Sequence, residues 1–356
     1  MAKDISEIDK ALRADGAVND GGKIWYPAAC ERFLLTGLLE DGLKSTPPKY
    51  VRMPSEIAAT VNTGVSELYS NTAGGKLRIT TDSEAIAIRV KWTNRTSFSH
   101  MPLTGTSGFD LFVDKDGASR YAKTFIPPYN SPHGYEGEYR FGTKEMRSLQ
   151  INFPLYNSVD EIYIGLDEDA SILAPNPFNY GLPIVYYGSS ITQGGCASKP
   201  SSSYQAMISR WLNVDHVNLG FSGSAHAEKE MAEYIADIPM LLFVMDYDFN
   251  APTAEYLEKT HYPFYKVIRE KNPTLPIICV TAYAPNEPRR KEIIEASVKC
   301  AMAEGDKNIY FVDGNTFFPK DAVDNCTVDG VHPNDLGFYF MAKKLLPVIE
   351  EVLSKL

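Results

Sequence analysis

Four short stretches of this chain carry residues able to do acyl-transfer chemistry. The first, IVYYGSSITQGG (184–195), ends an apolar run in a glycine and two serines and then opens a helical pattern. A serine hydroxyl becomes a useful nucleophile only when a base takes its proton. Ser190, at a helix start, also owns a backbone N–H with no partner inside the helix, and the dipole there favours an anion. Serine at such a place is equally an ordinary helix cap. The second stretch, VNLGFSGSAH (217–226), closes another apolar run. Its Gly223 lets a ligand approach a backbone N–H closely, although a turn glycine by itself implies no chemistry. GFSGS (220–224) falls short of the nucleophile elbow G-x-S-x-G because Ser224 takes the place of the last glycine. The third, VMDYDFNAP (244–252), sets Asn250 before a proline-containing turn, where its amide can donate to a developing oxyanion or complete an Asx-turn. The fourth, TVDGVHPNDLGFYFMAKKLL (327–346), holds Asp329 and His332 three apart. One loop then delivers an imidazole together with a carboxylate able to fix its tautomer, as the base of a triad requires. A metal pair is the competing reading, but neither residue has an obvious third ligand in the sequence. Asp335 reads as the cap of a C-terminal helix expected to bury Leu336, Phe340, Leu345, Ile349 and Val352 or close neighbours.

These residues must be positioned by something, and the periodicity says what. From 183 onward, apolar runs at 183–187, 214–219, 240–246, 276–282 and 308–313 alternate with helical patterns near 203–212, 226–237, 254–271, 287–304 and 335–355. That alternation predicts a three-layer α/β domain: a parallel sheet with helices on both faces and ligands beyond the carboxyl ends of its strands. All four stretches lie at such ends. The earlier residues 23–166 read instead as short strands, KLRITT (76–81), AIAIRVKW (85–92), GFDLFVD (108–114) and EIYIGL (161–166), punctuated by Gly, Pro, Asn and Asp. Few stretches there carry a 3.6-residue period, so an antiparallel, jelly-roll-like β-sandwich is expected. The expected division is a sandwich over 1–175 and a catalytic domain over 176–356, with the crossing near 167–181.

The composition excludes some partners. Acidic residues outnumber basic ones by 45 to 35 in a chain of 356, which disfavours nucleic acid and anionic membrane. IPMLLFVM (238–245) is the length of a buried strand, and no transmembrane span is expected. The polar N-terminal stretch MAKDISEIDKALRADGAVNDGG lacks the apolar region of a secretory signal. The five cysteines, at 30, 196, 279, 300 and 326, form no CxxC pair. Free thiols and a cytoplasmic location are the simplest expectation.

Taken together, the four blocks resemble the SGNH (GDSL-type) hydrolases over roughly the last half of the chain. The resemblance implies Ser190 as nucleophile, His332 as base and Asp329 as its orienting carboxylate. It also implies Ser190, Gly223 and Asn250 as oxyanion donors. Ser189 stands where the family usually has Asp, as in a GSSIT-type subgroup. DFNA (248–251) lacks the glycine and acid that flank the family's asparagine. GFDLF (108–112) is similar to a segment of the β-sandwich that precedes this catalytic domain in some two-domain carbohydrate esterases, including carbohydrate esterase family 2. What the likeness implies is a serine esterase that removes O-acetyl groups from carbohydrates, such as acetylated mannan or xylan oligosaccharides, and needs no metal or organic cofactor. Trp25, Trp92, His100, Tyr129 and His133 are the first-half candidates for contacting sugar, although such aromatic residues are more often part of a core. One alternative is a short-chain lipid or aryl esterase, or a thioesterase, on the same site. Another, of a different class, is a non-catalytic sugar-binding protein. Exposed sandwich edges are compatible with a homo-oligomer.

Overall fold

The structure, a computed structural model, describes residues 8–9, 12–40, 49–115 and 118–356. Its first half contains β1 (Lys23–Pro27), β2 (Leu34–Thr36), β3 (Leu39–Glu40), β4 (Tyr50–Val51), β5 (Lys76–Thr81) and β6 (Ala85–Lys91). These are followed by β7 (Phe109–Lys115), β8 (Ala118–Phe125), β9 (Gly134–Arg140), β10 (Arg147–Asn152), β11 (Glu161–Asp167) and β12 (Ile172–Leu173). One antiparallel sheet has the order β1-β11-β6-β9; the other has the order β12-β5-β10-β7-β8, with β2 also on β5. The period-two pattern decides how they pack. Ile86, Ile88 and Val90 with Ile162, Ile164 and Leu166 meet Leu77, Ile79, Leu149 and Ile151 in one shared core.

The opposite face of the second sheet is polar yet buried, because the other half of the chain covers it. Lys76 Nζ lies 2.7 Å from Asp215 Oδ1 and 2.9 Å from His216 Nδ1. Asp110 accepts from Asn152 Nδ2 at 2.6 Å and from the Ser201 N–H at 2.8 Å. Arg78 stacks on Phe178, 4.2 Å from the ring centroid. Charged groups are buried at this cost only when partnered, so the junction has a defined register rather than a greasy contact.

In the second half, β13 (Ile184–Gly188), β14 (His216–Gly220), β15 (Leu242–Asp246), β16 (Ile277–Val280) and β17 (Ile309–Val312) form a parallel sheet in the order β14-β13-β15-β16-β17. Successive residues of β13 serve opposite faces. Val185 and Tyr187 join the core under the Lys229–Asp237, Ala254–Lys271 and Pro288–Ala303 helices. Ile184 and Tyr186 join the core under the Tyr204–Leu212 and Asp335–Leu353 helices. Among the described residues no helix is long and apolar enough to cross a membrane.

Some details differ from the expectations. The C-terminal helix buries Phe338, Met341, Leu345, Ile349 and Val352, whereas Leu336 is exposed and Phe340 only half-buried. Phe338 starts the stripe that continues at Met341 and Leu345, and Leu336 and Phe340 fall off it. The cap is Asn334, whose side chain accepts from the N–H groups of Leu336 (3.0 Å) and Gly337 (3.1 Å). Asp335 turns away and accepts from the Ser198 N–H at 2.8 Å. The first half also holds two short helices, Ser55–Val61 and Thr63–Leu68, too brief to show a period in sequence. Their Ala58 and Val65 are buried with Leu219, Phe221 and Met231 of the second half. Arg52, just ahead of them, lies 4.5 Å over the Phe221 ring and donates to the carbonyls of Leu68 (2.7 Å) and Asn218 (3.2 Å).

Candidate active site

The site starts where β13 stops. A Cβ at Gly188 would lie 2.2 Å from the Asp246 carbonyl oxygen, so only glycine lets β15 and the next turn sit this close. Ser189 then caps the Ser190–Gln193 turn, its Oγ accepting from the Ile191 N–H at 3.1 Å. Capping therefore falls to Ser189, which leaves the Ser190 hydroxyl for another partner. That partner is His332: Ser190 Oγ is 2.9 Å from His332 Nε2. His332 Nδ1 is in turn 2.7 Å from Asp329 Oδ2.

The loop geometry fixes the proton inventory. Asp329 Oδ1 accepts from the backbone N–H groups of His332 (2.8 Å) and Val331 (3.0 Å). Burial alone would raise the Asp329 carboxyl. The N–H and imidazole of His332 and the N–H of Val331 overcome that and hold it at about 2. An ionised carboxylate only accepts, so Nδ1 carries the proton and Nε2 is left to accept from Ser190 Oγ–H. The arrangement can deprotonate the serine and return the proton to a leaving group.

The other two blocks meet the same strand end. The Phe221 N–H donates to the Gly188 carbonyl at 2.8 Å and the Ser222 N–H to Gln193 Oε1 at 3.0 Å. Gly223 follows with φ +67°, a left-handed conformation that favours glycine, and open space lies where a Cβ would project. Asn250, ending a short Asp248–Asn250 turn, donates one Nδ2 hydrogen to the Phe221 carbonyl at 2.8 Å. Its second amide hydrogen is free of that bond. The turn is anchored because Asp248 accepts from the Ala282 N–H at 2.8 Å and from Arg290 at 3.0 Å.

The first half supplies two groups that sequence reasoning did not assign, Tyr156 and Phe98, and one that it did, His100. Tyr156 donates to the Ser190 carbonyl at 3.1 Å, and Phe98 packs edge-on against it at 5.5 Å. His100 stands beside the triad, its ring centroid 5.9 Å from that of His332. Cys196, buried next to these histidines, was overlooked as a lone cysteine; its only signal was its place after the double glycine 194–195. The other sugar-contact candidates scatter. Trp92 is 2 % exposed in the sandwich core, 5.7 Å from Tyr135, and cannot stack on a ligand. Trp25 lies on the outer face of the sheet farther from the second half, over Arg89 at 4.1 Å and bonded to Asp20. His133 points Nδ1 at the Thr93 carbonyl, 2.9 Å away, rather than at the triad. Tyr129 is exposed, and its carbonyl accepts from Arg95 at 2.7 Å, which ties its loop to the segment carrying His100.

Beneath the serine turn lies a carboxyl the triad does not use. Asp246 is buried and pushed up to about 7, despite accepting from Tyr204 OH (2.8 Å) and Thr192 Oγ1 (3.1 Å). Burial is the main cause, and the nearby Asp248 charge adds to it. Because the folded value exceeds the unfolded one, the folded state keeps a proton that the unfolded chain loses. This group therefore withdraws stability as pH rises between its unfolded and folded values, by a few kcal/mol in all. Asp246→Asn, which keeps the acceptor for both hydroxyls, is expected to flatten that loss. Urea midpoints at about pH 5 and about pH 8 measure it; an equal loss in both proteins refutes the assignment.

Comparison with known proteins places both halves. The model of the GDSL-like lipase/acylhydrolase family matches residues 182–350, and a model for the N-terminus of SGNH-hydrolase-type esterases matches residues 25–172. A candidate GDSL-like lipase from Bacteroides ovatus ATCC 8483 is 30% identical, with TM-score 0.83, covering 93% of this chain and 98% of its own. The salicylyl-acyltransferase of a tetracycline biosynthetic pathway is 18% identical, with TM-score 0.75 and coverages of 93% and 98%. A family two carbohydrate esterase from Clostridium thermocellum, solved with cellohexaose, is 16% identical, with TM-score 0.57 and coverages of 80% and 94%. No protein of curated function matches the chain by sequence.

Proposed function

Since this chain belongs to the GDSL-like lipase/acylhydrolase family, we propose that it is a serine esterase removing O-acetyl groups from carbohydrates, plant-derived hemicellulose oligosaccharides in particular. The observation that carries the reading is the unbroken hydrogen-bond chain from Asp329 through His332 to Ser190. In the proposed reaction His332 takes the Ser190 proton as Oγ attacks the ester carbonyl. The N–H groups of Ser190 and Gly223, with the Asn250 amide, receive the oxyanion. His332 then protonates the departing sugar oxygen, which leaves as a hydroxyl, and water, deprotonated by the same imidazole, releases acetate.

The fold supports a sugar alcohol, because the likeness to the carbohydrate esterase solved with cellohexaose covers 80% of this chain and so extends into both halves.

A short-chain aryl or lipid esterase on the same residues is the second reading. The structural likeness to the salicylyl-acyltransferase, TM-score 0.75 against 0.57 for the carbohydrate esterase, favours it. Acetate release from acetylated manno- and xylo-oligosaccharides, beside p-nitrophenyl acetate and octanoate, separates the two. Release from the sugars is the expected result, and a preference for octanoate would overturn it.

A further inference from the structure

We infer that His100, Cys196 and His332 form a three-ligand site for a soft divalent cation of the Zn²⁺ type, whose binding switches the esterase off. The inhibitory consequence rests on the esterase reading; the site itself does not. Among the described residues, these three offer one ring nitrogen from each histidine and the Cys196 Sγ, all within 4.8 Å of one another. They come from three separate segments: a first-half loop, the turn after the serine, and the loop of the triad.

Each ligand has a reason to be available. His332 Nδ1 is taken by Asp329, so the nitrogen left for an ion is Nε2, the one now 2.9 Å from Ser190 Oγ. The carboxylate behind that imidazole makes it a better ligand, the second-shell arrangement typical of metal-bound histidines. Cys196 is 5 % exposed with φ +70°; burial and the Asp329 charge push its thiol up, so the ion itself must displace the proton. His100 is exposed, its ring edge-on to Phe98 at 6.2 Å and 5.9 Å from that of His332. Thiolate plus two imidazoles selects Zn²⁺ over oxygen-seeking Mg²⁺ or Ca²⁺. Bonds of about 2.0–2.1 Å to nitrogen and about 2.3 Å to sulfur imply donor separations of about 3.3–3.6 Å in a tetrahedron, with the fourth position left to water. From separations within 4.8 Å, the closure required is about 1.5 Å at most. On binding, the Cys196 S–H bond breaks, its proton passes to solvent, and the sulfur–metal bond forms. His332 Nε2 exchanges Ser190 for the ion, and the serine loses its base.

The test uses Co²⁺ as the probe, added to the full-length chain. One equivalent is expected to give a thiolate-to-cobalt charge-transfer band and intense tetrahedral ligand-field bands, both bleached by Zn²⁺. Cys196→Ser should lack the charge-transfer band and His100→Ala should bind at least about tenfold more weakly. Zn²⁺ should inhibit p-nitrophenyl acetate hydrolysis reversibly, a chelator restoring it. Cys196→Ser should keep its metal-free turnover and need at least about tenfold more Zn²⁺ for the same inhibition. No charge-transfer band, or one that survives in Cys196→Ser, overturns the site. Equal Zn²⁺ sensitivity in wild type and Cys196→Ser overturns the switch. A cobalt band in a chain that hydrolyses no ester would leave the site standing and remove the esterase reading instead.

Discussion

Ser190→Ala is expected to lower kcat on p-nitrophenyl acetate by about 10⁴-fold or more while leaving KM and the unfolding midpoint nearly unchanged. The size follows from the chain of bonds through that one oxygen. Without Oγ there is no nucleophile for Nε2 to activate, and what remains is binding plus the oxyanion donors. The backbone should not move. The Ser190 hydroxyl caps nothing, since Ser189 holds the Ile191 N–H at 3.1 Å. The Ser190 carbonyl keeps its bonds from Tyr156 OH at 3.1 Å and from the Gly195 N–H at 2.8 Å. Steady-state kinetics with a circular-dichroism melt would decide. A variant that melts like the wild type and retains more than about a hundredth of the rate would remove Ser190 from the chemistry.

Asp329→Asn should cost about 10³-fold in kcat. The asparagine oxygen can still accept from the N–H groups of Val331 and His332, so the loop is expected to persist. Its NH₂ would face Nδ1 and force the proton onto Nε2, the wrong tautomer for accepting from Ser190. A fully buried orienting carboxylate is worth about 10⁴. Asp329, with 38% of its side chain exposed, shares its charge with water and should fall short of that. Because the wild-type carboxyl is held at about 2, it stays ionised across the neutral range and contributes no limb to the pH profile there. Rate–pH profiles of both proteins check this. A variant within tenfold of wild type would mean that His332 finds its orientation elsewhere.

Much of the candidate site was legible because its residues sit at strand ends, where periodicity stops and a Ser, Asn or His stands out. Ser190, Gly223, Asn250, Asp329 and His332 each follow an apolar run or precede a helix, and a parallel sheet gathers such ends on one side. What could not be read comes from chain segments without a period of their own. Tyr156 reaches the Ser190 carbonyl, and Phe98 reaches Tyr156, from a half of the chain whose pattern speaks only of strands. Cys196 comes beside His100 and His332 in a left-handed backbone conformation no composition reveals. Trp92 illustrates the reverse error: an aromatic in an alternating strand region carries the same signal whether it faces sugar or core. Asp335 and Asn334 are both good caps, and only the pull of Ser198 on the aspartate decides between them. The helices Ser55–Val61 and Thr63–Leu68 were missed because seven and six residues span too few turns to display an amphipathic stripe.

Those two helices bear on how such a chain can diversify. They precede most of the sandwich in sequence, yet their Ala58 and Val65 stopper the core on the face of the parallel sheet that Val185 and Tyr187 serve. A recombination joining this first half to a foreign hydrolase, or this hydrolase to another sandwich, would import a plug cut for the wrong socket. The two halves are therefore tied at two points, the charged junction and the stopper. Outside those contacts lies the loop where Phe98 meets Tyr156 and His100 meets His332. New specificities can be tried there, one rim residue at a time, while the machinery beneath is passed on as a single piece.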